Sequence, residues 1–399
     1  MFTKYIKNNL SLFTLTSYLF IYYFFIRILY TYYSVEFQID ILFYRIGFYL
    51  PLLIWIILIV KDTKISIFQN IHVKLFLSLF TYQVLIILFQ QLYGANYINT
   101  SVQFFQIKVF VYSIFNILLG YYSYKLIYSN SNKNIFITTF LLYSLLLLMN
   151  ISNFSLDTNG FSGIHLLLGD TFIVVSLLGI FSKDFNKLIK ISLVSISLLI
   201  VFIIHSRASF YSYVVVYLFF IIKEVGFKYF IYLSLTFIIG FFTLYFIDIL
   251  SIDKRMSGVF QGKQDASLDE RLLQFQYGLY AIKQYWFFGE YSGHVVAHAT
   301  GYKSGSMGCY MHNWLSYWRQ YGLLYFILFS SLYLYGLFIV FKDWLYNNSK
   351  PVNLIFYIAL FVGVELLLFR SYSDTLVWFV FALMYSYMNE HKKGTKCLK

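Results

Sequence analysis

Apolar runs of about 17 to 22 residues recur from one end of the chain to the other, separated by shorter polar stretches. A run of that length crosses the hydrocarbon core of a bilayer as one α-helix. Helices are expected near residues 10–30, 41–60, 73–93, 104–123, 135–150, 165–182, 190–205, 208–222, 229–248, 314–341, 352–369 and 375–389. The pattern therefore predicts an all-α polytopic membrane protein with about twelve transmembrane helices and one long loop between the ninth and the tenth. It divides the chain into N-terminal helices (1–189), helices around a polar interruption (190–248), the loop (249–313) and C-terminal helices with a tail (314–399). The first run, about Leu10 to Tyr30, is too long for a signal-peptide core and lacks a small-residue cleavage site, so it is expected to stay as a span.

Composition agrees with lipid as the solvent: of 399 residues 60% are hydrophobic and only 12% charged. With 40 Tyr and 46 Phe but two Pro, the helices should be mostly unbroken and rich in interfacial aromatics. Cys309 and Cys397 are expected on opposite membrane faces, so no internal disulfide is expected.

The connections alternate in charge. Lys61 and Lys64, Lys125 and Lys133, Lys183 with Lys187 and Lys190, Lys223 and Lys228, Lys342 and Lys350, and the tail lysines share the side of Lys4 and Lys7. The positive-inside rule makes that side cytoplasmic and the long loop extracytoplasmic. All seven arginines (Arg27, Arg45, Arg207, Arg255, Arg271, Arg319, Arg370) then fall at or near the outer face. Lysine serves as a topological point charge, whereas guanidinium presents a fixed fork of donors matched to phosphate or carboxylate. The sorting points to an outward-facing anion site. The alternative is that the arginines reach toward lipid headgroups or pair with Glu36, Asp40, Glu365 and Asp374.

The long loop should be ordered in part. Ser267-Leu-Asp-Glu270 fits a capping box, and Leu272, Phe275, Leu279, Ile282 and Trp286 recur at helical spacing up to Gly289. An amphipathic helix is expected over about 268–288, its apolar stripe resting on the membrane or the bundle. Arg271 would lie in its first turn, where guanidinium and free backbone amides could meet an anion together. A local salt bridge to Asp269 or Glu270 competes with that reading. The glycine-rich segment after it has no phosphate-loop pattern.

Beyond the loop, His312, Ser316, Arg319 and Gln320 fall on one helical face, with Asn313 beside them. That face cannot point at lipid, because an unpartnered arginine in a span costs roughly 2.5 kcal/mol or more. His312 can act as acid, base or orienter near neutral pH, or simply end a helix. His205-Ser206-Arg207-Ala208-Ser209 interrupts an apolar stretch from Ile191 to Ile222, predicting two helices that meet with Arg207 at the turn. Asp170 and Glu365 are further ionisable residues near span interiors, each able to pair with an arginine.

Three segments resemble the O-antigen polymerase and O-antigen ligase family of bacterial envelope glycan assembly: SRAS at 206–209, DERLLQFQYGLYAIKQYWFFGEYSGH at 269–294, and MHNWLSYWRQYGLL at 311–324. They cover about 190–341; the first half is similar only as hydrophobic helices. The sequence departs from the family where Glu290-Tyr291-Ser292 stands between Gly289 and Gly293. The resemblance implies a GT-C-like membrane glycosyltransferase in the bacterial inner membrane, its site facing the periplasm. It implies Arg207 and Arg271 on a donor pyrophosphate and His312 at the acceptor hydroxyl. Arg319, Asn313, Ser316, Gln320, Arg255 and His294 are candidate substrate-binding residues.

The expected donor is an undecaprenyl pyrophosphate-linked oligosaccharide, since no nucleotide sugar is available outside the cytoplasm. The bilayer is a partner and a chain-length regulator an optional one; nucleic acid is not a partner. No cofactor is expected. No DxD pair or His/Cys cluster marks a metal site, although Asp253, Asp265 and Glu290 leave a cation open. The favoured function is polymerase. A ligase acting on lipid A core is the alternative, and a flippase for lipid-linked oligosaccharide is a second one, weakened by the absence of an internal repeat.

Overall fold

In a computed structural model, the described residues are 71–93, 100–128, 133–149, 151–152, 155–156, 165–204, 206–224, 266–290, 311–347, 349–371 and 373–397, with Tyr23 and Gly226. Among them are ten α-helices: α1 (Ile71–Tyr93), α2 (Thr100–Tyr128), α3 (Lys133–Met149), α4 (His165–Ser182), α5 (Lys187–Ile203), α6 (Arg207–Glu224), α7 (Ala266–Gln284), α8 (Ser316–Tyr346), α9 (Lys350–Leu368) and α10 (Leu376–Cys397). The exception is a two-residue antiparallel pair, β1 (Ile151–Ser152) with β2 (Ser155–Leu156). The hydrophobic runs near 73–93, 104–123, 135–150, 165–182, 190–205, 208–222, 314–341, 352–369 and 375–389 are thus all helical. Those at 10–30 (Tyr23 apart), 41–60 and 229–248 lie outside the described residues, as do Arg255, His294 and Cys309.

Two described helices, Ser316–Tyr346 and Pro351–Leu368, are long and apolar enough to cross a membrane by length and composition; Ser78–Phe89, Asn134–Leu148, Leu166–Ser182 and Leu376–Asn389 are shorter apolar stretches.

The chain forms two compact units, each assembled from separated segments. The first is Met1–Trp55, Tyr122–Asp265 and Trp344–Phe361; the second is Ile56–Tyr121, Ala266–Asp343 and Val362–Lys399. In the first, α4 is the central helix and packs against α3, α5 and α6. It is apolar nearly all round, and Phe172, Ile173, Val174, Val175, Leu177 and Leu178 are fully buried, as expected of a helix enclosed on every side. Asn186 caps α5, its Oδ1 accepting from Ile189 N–H at 2.8 Å.

In the second unit, α10 supplies the core with Trp378, Phe379, Val380, Phe381 and Leu383. Phe329 and Tyr333 of α8 and Phe80 of α1 pack edge-on or tilted around Trp378 and Phe381, at 4.8 to 5.8 Å between ring centres. Gln83, buried in α1, donates to the Tyr325 hydroxyl at 2.6 Å, so this polar group enters the apolar core with its partner supplied.

Helix α8 is not one rod. Gly322 has φ 84° and ψ 174°, a backbone region essentially restricted to glycine. There the chain folds back on itself. Trp314 Nε1 donates to Ser330 Oγ at 2.5 Å, and the Tyr317 and Phe329 rings stack at 4.0 Å. Twelve residues along a straight helix would separate Tyr317 from Phe329 by about 18 Å. Residues 316–321 therefore form a short arm lying along the start of the long arm, 323–346. The expected single helix over 314–341 is corrected to this bent form.

Candidate functional site

In the second unit Arg271, Arg370 and His312 come together from separate segments of the chain. Their placement begins with α7. Its buried face is Gln274, Gly278, Ala281 and Ile282, with Arg271 and Phe275 at the border, while Leu272 and Leu279 are exposed. The apolar stripe is thus split: Ile282 packs inward, whereas Leu272, Leu279 and Trp286 stay on the outer surface. Small residues explain this: Gly278 has no side chain, and the Met311 side chain fills the space where one would be. Packing Met311 there brings the following residue, His312, under the face that carries Arg271.

The helix begins at Ala266, so Ser267 lies inside it and Arg271 is its sixth residue, in the second turn. The expected meeting of guanidinium with free first-turn amides is not what this register provides; positive charge here comes from side chains.

His312 is partly buried. Burial, and then the positive charges of Arg271 and Arg370, lower its pKa from the usual 6.5 to about 4, against a hydrogen bond to the Phe369 backbone that raises it. The imidazole is therefore neutral at neutral pH. A neutral imidazole donates from one nitrogen and presents the other as an acceptor. Capping of the short arm falls instead to Asn313, whose Oδ1 accepts from Leu315 N–H at 3.1 Å and whose carbonyl accepts from Ser316 N–H at 3.0 Å.

Arg370, just past α9, is the participant that the sequence patterns did not single out. Its Nε lies 3.0 Å from Glu365 Oε2, with Glu365 itself 1% exposed. Its backbone N–H closes on the Glu365 carbonyl at 2.7 Å, holding the end of α9 in a tight turn. The signal available in the sequence was an arginine immediately following an apolar run that contains one acid; pairing with Glu365 is among the expected alternatives, proximity to His312 is not. Asp374 is used locally, its Oδ1 accepting from Leu376 N–H at the start of α10.

The polar stripe is buried, as its cost in lipid requires: Ser316 is 1%, Arg319 8% and Gln320 0% exposed. Arg319 Nη2 lies 3.3 Å from Glu290 Oε2. The backbones of the same two residues also bond, Glu290 N–H to the Arg319 carbonyl at 2.6 Å. In a regular helix that carbonyl would accept from Leu323 N–H. Leu323 N–H instead reaches the Trp286 and Phe287 carbonyls at 3.0 and 3.2 Å. The turn after α7 has been spliced into the bond ladder of α8, and Trp318 Nε1 adds a bond to the Trp286 carbonyl at 2.7 Å.

Two glycines permit the splice. A Cβ on Gly322 would lie 1.9 Å from the Phe287 oxygen, and one on Gly289, whose φ is 74°, would lie 2.5 Å from the Gly322 nitrogen. Glu290, which the sequence left open as a cation ligand, is engaged with Arg319.

Arg207 is placed in the first unit as the first residue of α6, at the turn after α5. Asp170 accepts there from Ser209 Oγ at 2.5 Å. His205 lies outside the described residues, as do the side chains of Asp269 and Glu270.

No protein-family model matches the chain, and no curated protein and no solved structure is significantly similar to it.

Proposed function

We propose that the chain is a multi-pass inner-membrane glycosyltransferase, a polymerase of O-antigen or a related surface polysaccharide, with about twelve spans and a GT-C-like arrangement. The observation that carries this reading is the part-buried imidazole of His312 within reach of the charges of Arg271 and Arg370, from two other segments of the chain, with its hydrogen bond to the Phe369 backbone. The exposed leucines along α1, α3 and α5, such as Leu85 at 58%, Leu145 at 55% and Leu199 at 59%, suit a lipid-facing surface.

The acceptor hydroxyl oxygen attacks the anomeric carbon of the lipid-linked donor. The carbon–oxygen bond to pyrophosphate breaks, and the electron pair leaves with the phosphate oxygen. The hydroxyl proton passes to the acceptor nitrogen of His312. Negative charge grows on the leaving pyrophosphate, and guanidinium groups fixed beforehand stabilise it most in the transition state. Arg271 and Arg207 are assigned to the donor, with Arg370 adding charge near His312. An anion bound beside Arg271 and Arg370 would offset the charges that lower the imidazole pKa, so the donor itself makes His312 a better base.

Gene deletion followed by gel analysis of surface polysaccharide tests the reading. A single repeat unit on core supports polymerase. Unattached lipid-linked polymer would indicate ligase, and loss of outward-facing lipid-linked units a flippase. Substitution of His312, Arg271 or Arg207 by alanine is expected to leave the protein inserted while abolishing long chains; normal chain lengths in all three would refute the site.

A further inference from the structure

Asp170 is buried in α4, 6% exposed. A carboxylate in such surroundings costs several kcal/mol unless it is well bonded. Ser209 Oγ donates to its Oδ1 at 2.5 Å, and Ser206 Oγ lies 2.6 Å from Ser209 Oγ. A hydroxyl has one proton to give. Ser209 gives it to Asp170, so Ser206 donates to Ser209, and the chain of bonds runs from Ser206 through Ser209 to the carboxylate.

Ser206 stands immediately before α6, and its carbonyl accepts from Phe210 N–H at 2.8 Å. In an ordinary capping box, the residue three positions after the cap is a Glu or Gln that completes the helix start. Here that position is Ser209, and the carboxylate arrives from another helix, where it also faces the positive end of the α6 dipole. Gly169 makes room for this. A Cβ there would come within 2.6 Å of Ser209 Oγ and 2.7 Å of Ser206 Cβ.

We infer that Asp170 is a positioning residue for Arg207, setting the first turn of α6 through Ser209 and Ser206 and so fixing where the guanidinium begins. The inference rests on the donor-binding role proposed for Arg207. Two serines could end the hairpin by themselves; a buried carboxylate adds a charge-assisted anchor to a turn that carries an arginine.

The test uses the full-length protein in its own membrane. Cys309 and Cys397 are replaced by serine, R207C is introduced, and its modification rate by a thiosulfonate reagent is measured with Asp170 intact and in D170N. D170N should change that rate several-fold, and S209A should do the same should D170N not accumulate. With arginine at 207, D170N should lower the yield of long glycan about tenfold. An unchanged modification rate in both variants would overturn the inference. Normal chains in R207A would instead remove the donor role of Arg207, while the modification rate still decides whether Asp170 positions the turn.

Discussion

Two places where an apolar chain turns back, the α5–α6 turn and the bend at Gly322 inside α8, are built by opposite means. The first uses side chains: Ser206 bonds to Ser209, and Ser209 to a carboxylate from α4. The second uses backbone: Gly322 abandons helical geometry, and the turn after α7 supplies the partners that α8 gives up. A side-chain turn must carry polar residues, so it interrupts the hydrophobic run and shows in the sequence. A backbone turn needs only a missing Cβ, and a single glycine within an apolar stretch is ordinary in membrane helices.

The largest effect is expected at the backbone turn. Gly322→Ala places a Cβ 1.9 Å from the Phe287 oxygen at a φ of 84°, and should cost more than about 3 kcal/mol, seen as lost abundance and early thermal unfolding in detergent. A side-chain turn tolerates change better, so Gly322→Ala behaving like wild type would mean the splice is absent.

Glu290→Gln comes next. It leaves Arg319, 8% exposed, without its carboxylate partner at 3.3 Å. The loss should be about 3 kcal/mol, the low end for breaking a buried pair because Glu290 is partly exposed. Thermal unfolding at low and high salt measures it, and a near-zero change would mean the backbone bonds alone hold the junction.

His312 gives a smaller effect near neutral pH. Its pKa is lowered to about 4 in the folded protein and is near 6.5 when unfolded. Between those values the unfolded chain binds more protons, so stability falls as pH drops from 6.5 toward 4, and levels off below. Comparing thermal unfolding of wild type and His312→Gln across that range should show this component vanish in the variant.

The least effect is expected at Asn186, the exposed cap that begins the α5–α6 hairpin. Asn186→Ala should cost about 1 kcal/mol and leave glycan length unchanged. A loss rivalling that of Gly322→Ala would erase the distinction between the two kinds of turn.

Much of this was legible in advance. The sequence alone determined where nine described hydrophobic helices lie, since the length of an apolar run is a local property. It also determined that α7 exists and gives way to a turn closing at Gly289, that the HSRAS stretch separates α5 from α6, and that the polar face of residues 316–320 is buried. The tertiary structure alone decided that α7 packs through Gly278 on Met311, that α8 doubles back at Gly322, that Arg370 lies close enough to His312 to shift its proton affinity, and that Asp170 serves a serine. These are relations between segments tens of residues apart. Periodicity records which residues avoid water, but which neighbour a face meets, and which carbonyl takes a distant N–H, depends on steric fit between elements that one-dimensional spacing does not carry.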